Sequence, residues 1–223
     1  MLFFRQVAAI LHKDLIAELR TKEMFSSMLV FALLVVIVFN FAFDLRVADA
    51  VTVAPGVLWV SVTFAGMLGL NRSFVLEKDK GCLDGLLLAP MDRCAIYFGK
   101  LAGNFLFITV VEAVILPVFS ALFNVSLIQP WVLVVVLLGT LGFSGVGTLF
   151  SAMAVHTRAR EVFLPILLFP VVVPALIAAV KLTAGLLDGQ LLADLANWLR
   201  LLVAFDVILI AVSYMTFDYV VEE

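Results

Sequence analysis

Charge is scarce in this chain. Asp, Glu, Lys and Arg make up 14% of its 223 residues, against 65% hydrophobic residues. That leaves too little polar surface to coat an ordinary soluble domain. Histidines and cysteines number only two each. Cys82 and Cys94, with eleven residues between them, match no zinc-ligand spacing, and in a cytoplasmic loop they would be reduced thiols rather than a disulfide. No Gly-x-x-x-x-Gly-Lys-Ser/Thr loop occurs, so the chain has no route of that kind to ATP. A net charge of −3 without a basic cluster gives nucleic acid no footing.

What the chain does have is long apolar runs. Six of them occur, roughly Met24–Phe43, Val51–Leu70, Leu101–Phe123, Pro130–Val155, Val162–Val180 and Leu199–Phe217. Each approaches or exceeds the ~20 helical residues that cross a hydrocarbon layer. The runs are continuously apolar instead of alternating, which points to helices and not to a barrel. The expected fold is therefore an all-α membrane protein with six spans, 23–223, preceded by a helix over 1–22. The connections are too short to hold a second folded domain. The first run is full length with no small-residue cleavage pattern after it, so no cleavable signal peptide is expected. Eleven of the 14 basic residues fall at the N-terminus and in the second and fourth loops, and only Arg46, Lys181 and Arg200 lie opposite. The positive-inside bias then puts both termini in the cytoplasm.

Residues 1–22 carry Phe4, Ala8, Leu11, Leu15 and Leu19 at helical spacing, with Arg5, Lys13, Asp14, Glu18 and Arg20 on other faces. The pattern predicts an amphipathic helix lying in the cytoplasmic interface with its apolar stripe in lipid. It serves either as an anchor or as an elbow that moves the first span. The second loop, 71–100, is the longest polar stretch. Its charged helical turn, Glu77, Lys78, Asp79 and Lys80, reaches Gly81 as a helix terminator or hinge and is followed by Leu83, Leu86, Leu87 and Leu88 before Pro90. Leucines in an aqueous loop need a cover. Either the chain's own helix ends or a groove on a cytoplasmic partner provides it.

Within the spans, Glu112 and Asp206 are carboxylates that must face protein, water or a counter-ion. Each is either a hydrogen-bonded structural group or part of a substrate or proton path. Asn40 and Asn104, near span ends, read as helix-contact residues. Gly139, Gly142, Gly145 and Gly147 allow close helix approach in the fourth span. Pro165, Pro170 and Pro174 predict a bent or broken fifth span and a candidate hinge.

Gly142-Phe143-Ser144-Gly145 is similar to the serine box of rhomboid proteases, which are six-helix proteins. The serine would need a base, and the sixth span has no histidine. His12 and His156 both lie on the cytoplasmic side, and no Cys-x-x-Cys-His box for covalent haem attachment occurs.

Several segments together resemble the CcmB family, the permease subunit of the ABC complex of c-type cytochrome maturation. They are Ala54-Pro55-Gly56-Val57-Leu58-Trp59-Val60, Asn71-Arg72-Ser73-Phe74, Gly81 through Pro90 and Tyr97-Phe98-Gly99-Lys100. The proline-spaced Leu164-Pro165-Ile166-Leu167, Phe169-Pro170 and Val173-Pro174 complete the set. The likeness covers essentially the whole chain. It implies an ABC-2-type exporter permease in the bacterial or archaeal cytoplasmic membrane, with no cofactor of its own. ATP would be bound by a separate ATPase, CcmA, and haem is the candidate substrate. The resemblance further implies a second copy of the chain, the subunits CcmC and CcmD, and the haem chaperone CcmE. Loop 71–100 then resembles a coupling helix, with Glu77, Lys78, Asp79, Lys80, Asp84, Leu86, Leu87 and Leu88 as ATPase contacts. The competing readings are a permease for another substrate, such as a lipid or drug, and a non-transporting scaffold of a haem-delivery complex.

Overall fold

A computed structural model of the chain describes residues 2–44, 50–79, 82, 85–86, 91–155, 157 and 159–222. These form seven long helices: α1 (Leu2–Thr21), α2 (Glu23–Asp44), α3 (Ala50–Asp79), α4 (Arg93–Phe123), α5 (Pro130–Ala154), α6 (Arg160–Leu187) and α7 (Ala196–Glu222). The last six are long and apolar enough to cross a membrane, in agreement with the six expected spans. α3 and α5 are the inner helices, while α2 and α7 turn most of their apolar surface outward. Val30, Leu34 and Val38 of α2 and Val207, Val212 and Met215 of α7 are all exposed, as lipid-facing residues should be.

Helix ends follow from local chemistry. A single residue, Lys22 at φ 56°, separates α1 from α2. Glu18 bridges this corner: its carbonyl accepts from the Lys22 N–H at 2.7 Å, and its Oε1 accepts from the Phe25 N–H at 2.8 Å, capping the first turn of α2. Asp92 caps α4 through the Cys94 N–H, and Asn124 ends α4 in the left-handed region. Pro130 opens α5, where its missing N–H has no helical partner to lose.

The glycines of α5 form a face onto which other spans close. A Cβ on Gly139 would collide with the Trp59 indole of α3, and one on Gly147 with Leu70. Trp59 is fixed from behind, because its Nε1 donates to Thr183 Oγ1 of α6 at 3.1 Å. Three helices thus meet at one ring.

Two expectations change. The stretch 71–100 is not mainly loop: α3 runs on through Asp79 and α4 begins at Arg93. Charged turns of a helix that leaves the bilayer carry no apolar run, so the sequence reads them as loop. Nor is the fifth span broken. α6 is one continuous helix from Arg160 to Leu187 with Pro165, Pro170 and Pro174 inside it. Proline's fixed φ suits a helix, and packing against α5, α3 and α7 holds the segment where local backbone bonds are missing.

Candidate coupling site

The most built polar feature lies where α3 leaves the membrane. Lys100, in the second turn of α4, is 2% exposed, and a bare ammonium so placed would be very unfavourable. It is fully satisfied. Its three donors match Glu77 Oε1 at 2.9 Å, Asp14 Oδ2 at 3.0 Å and the Ser73 carbonyl at 3.1 Å, and the Phe74 ring lies 5.3 Å away. Lys13 also binds Glu77 and lies 3.3 Å from Asp14. Two lysines and two carboxylates thus form a neutral clasp joining α1, α3 and α4. Burial pulls the Lys13 ammonium down, but Glu77 and Asp14 outweigh it and hold its pKa above the ordinary 10.5.

α1 reaches this site by docking on α4 at Gly99 and Gly103. The side chain of Ile10 fills the space beside Gly99, and Leu11 and Asp14 lie over Gly103. Small residues four apart let two helices approach closely. The face of α1 turned to the protein is therefore Phe3, Val7, Ile10, Asp14 and Glu18, partly polar, with Phe4, Ile16 and Leu19 left outward. Of the stripe expected to face lipid, Phe4, Ala8 and Leu19 are exposed and Leu11 and Leu15 partly buried; what the expectation lacked is the docked opposite face. Apolar spacing alone does not show which carboxylates have a buried lysine waiting for them.

Other contacts tie the same two turns of α3 to the remaining neighbours. Arg72 pairs with Glu23 of α2 at 2.9 Å, and Lys78 Nζ donates to the carbonyl of Val155, at the end of α5, at 2.9 Å. The base of the α3–α4 connection is thereby braced against α1, α2, α4 and α5. Below the elbow of α1 lies a cavity of about 410 Å³, lined by Glu18, Arg20, Arg72, Glu77, Cys82 and Lys100 among others.

The expected contact residues divide. Glu77 is buried at 6% and serves the clasp, which corrects its placement on an outward contact surface. Lys78 is exposed and also bonded to Val155. Asp79 ends α3. Leu86 is partly buried against a cluster containing Ile10, Phe74, Ile96 and Tyr97, so the chain's own helices cover part of it. Lys80, Asp84, Leu87 and Leu88 lie outside the described residues. Cys82 is exposed, Cys94 is buried in the first turn of α4, and neither is in a disulfide.

The two intramembrane carboxylates do not meet in this site. Glu112 Oε1 accepts from Thr140 Oγ1 of α5, while its Oε2 has no partner. Asp206 lies against Gly142 on another side of α5. Asn104 Nδ2 donates to Thr148 Oγ1 at 2.9 Å, the helix contact expected of it. Asn40 bonds the Leu122 carbonyl. Among the sequence's missed signals, Lys13, Asp14 and Lys100 were visible only as scattered charges. Gly99 and Gly103 were legible as a small-x-x-x-small pair.

Six helices long and apolar enough to cross a bilayer, with the base of one polar connection braced by four neighbouring helices, are the build of a multi-pass membrane protein. The CcmB protein family matches residues 5–222, and the chain belongs to it. It is similar to Heme exporter protein B of Rhodobacter capsulatus, 30% identical over 182 residues (81% of this chain and 84% of that one). The same-named protein of Paracoccus denitrificans is 31% identical over 170 residues, 76% of this chain and 78% of its own. That of Pseudomonas aeruginosa is 25% identical over 177 residues, 79% of each.

Proposed function

We propose that the chain is the permease subunit of an ABC-type haem exporter serving c-type cytochrome biogenesis, driven by a separate cytoplasmic ATPase of the CcmA type. The observation that carries the mechanism is the brace at the base of the α3–α4 connection. A force applied to residues 80–92 by a docked ATPase reaches α1, α2, α4 and α5 together through the clasp, the Arg72–Glu23 pair and the Lys78–Val155 bond. Asp84, Leu87 and Leu88 are the docking contacts, with Lys78, Asp79, Lys80 and Leu86 beside them, and Glu77 transmits from behind. Haem is cargo, the chain itself holds no cofactor, and ATP belongs to the partner. A second copy of the permease, CcmC, CcmD and the chaperone CcmE complete the assembly.

Purification of the tagged chain in mild detergent is expected to recover an ATPase together with cytochrome-maturation subunits, and Asp84→Lys should lower the ATPase recovery severalfold. An ATPase without any haem-handling subunit would move the reading to an exporter of another substrate. No ATPase at all would remove the permease reading.

The clasp lies on the cytoplasmic side of a bacterial or archaeal inner membrane, with both termini there. Cys82 is an exposed thiol and Cys94 a buried one, so an impermeant maleimide should modify the native chain in inside-out vesicles only. In a Cys82→Ser background, Leu191→Cys, at a site 71% exposed beyond α6, should show the opposite sidedness. The reverse pattern would invert the topology.

A further inference from the structure

Far from the clasp, the outer side of α7 carries a groove of about 380 Å³ between α5 and α7. It is walled by Leu138, Leu141, Val203, Val207 and Ile210 and ended by Phe98 of α4. Asp206 lines it. The residue is 4% exposed, and neither carboxylate oxygen has a hydrogen-bond partner. Gly142 makes the room: a Cβ there would overlap Asp206 Oδ1. Asp206 is ~15 Å along the axis from the start of α7, near the middle of a ~30 Å hydrocarbon layer.

A carboxyl group at that depth needs a hydrogen-bonding partner, and acyl chains offer none. Apart from Tyr214, about two turns further along α7, the groove walls are hydrocarbon. Tyr214 does not bond Asp206, so the donor comes from outside the chain. A second copy does not supply it. The outward mid-span residues of α2 are Val30, Leu34, Ile37 and Val38, and those of α6 are Ile166, Val173 and Ile177. α7 itself would set one Asp206 against another. α7 is also the least covered of the six spans.

We propose that the α5–α7 groove seats a transmembrane helix of a different membrane subunit, which presents a lysine or arginine at mid-bilayer depth to Asp206. The apolar walls take the helix's hydrocarbon face, and the carboxylate fixes its register. This docking does not depend on what the assembly transports.

The test places a photo-crosslinking residue at Val207, 63% exposed, in the full chain in its native membrane, with Val173 as the control position. The expected adduct at Val207 is a different membrane subunit, crosslinked within a helical turn of a lysine or arginine in one of its own spans. Asp206→Ala should reduce that adduct about 3- to 15-fold, the range of measured hydrogen bonds between membrane helices. Leu141→Trp, which places a larger side chain in the groove, should remove it while the chain still accumulates. Where Asp206→Ala fails to accumulate, Leu141→Trp decides. Adducts with lipid only, with a second copy, or with a helix lacking a basic residue would overturn the proposal. So would an adduct yield unchanged by Leu141→Trp.

Discussion

Lys100→Met is expected to destabilise the protein by about 3–5 kcal/mol, because it leaves Asp14 and Glu77 facing each other in a buried site without their shared cation. Lys13 is half-exposed and reaches Glu77 from the rim, so it replaces only part of the lost charge. In detergent the apparent melting temperature should fall by about 6–20 °C. Methionine keeps most of the lysine's hydrocarbon volume, so the loss reports on charge and not on a cavity. Adding Asp14→Leu and Glu77→Met to Lys100→Met should recover much of the loss, since hydrophobic residues of similar volume often replace a buried ion cluster at little net change. That neutralised triple variant should nonetheless transmit poorly: ATPase recovery stays normal while ATP turnover no longer responds to substrate. A Lys100→Met protein that melts within a degree of the parent would show that the clasp holds nothing.

Gly139→Val is the second large effect. Even its Cβ alone would enter the space of the Trp59 indole, and the two methyl groups beyond it have nowhere to turn. Trp59 cannot swing aside without giving up its bond to Thr183. Overpacking and the lost hydrogen bond together come to about 2–4 kcal/mol, spread over the contacts of α3, α5 and α6. Gly56→Ala on α3 is the matched control, because a Cβ there meets nothing within 4 Å. It should accumulate normally and melt no lower than the parent, since alanine is the better helix former. Equal accumulation and melting of Gly139→Val and the parent would mean that the α3–α5 packing is not as described.

The spans were legible because a bilayer imposes a length, and a run such as Pro130–Val155 declares itself without any knowledge of neighbours. The clasp was not. Asp14, Glu77 and Lys100 are far apart in sequence, and nothing local distinguishes Glu77 from the exposed Lys78 beside it. Only the helical phase of α3 separates the two, and a turn read as isolated in the connection does not carry the phase of the preceding span. Of the two outcomes the prolines of α6 allowed, a bent or a broken span, the break does not occur, because helix packing holds the segment where backbone bonds are missing. Gly99 and Gly103 stood in plain view, four apart at the start of an apolar run, and mark where α1 lands.

The clasp also imposes an order of events on synthesis. Asp14 leaves the ribosome early, but its cation, Lys100, belongs to the third span. At 5–20 residues per second, α1 waits roughly 4–17 s before its landing place exists. Through that interval the amphipathic helix lacks its seat on α4 and rests on the lipid surface by Phe4, Ile16 and Leu19, tied to α2 at the Glu18 corner. The same outward residues that look dispensable in the finished protein are therefore its mooring while the rest of the chain is still being made.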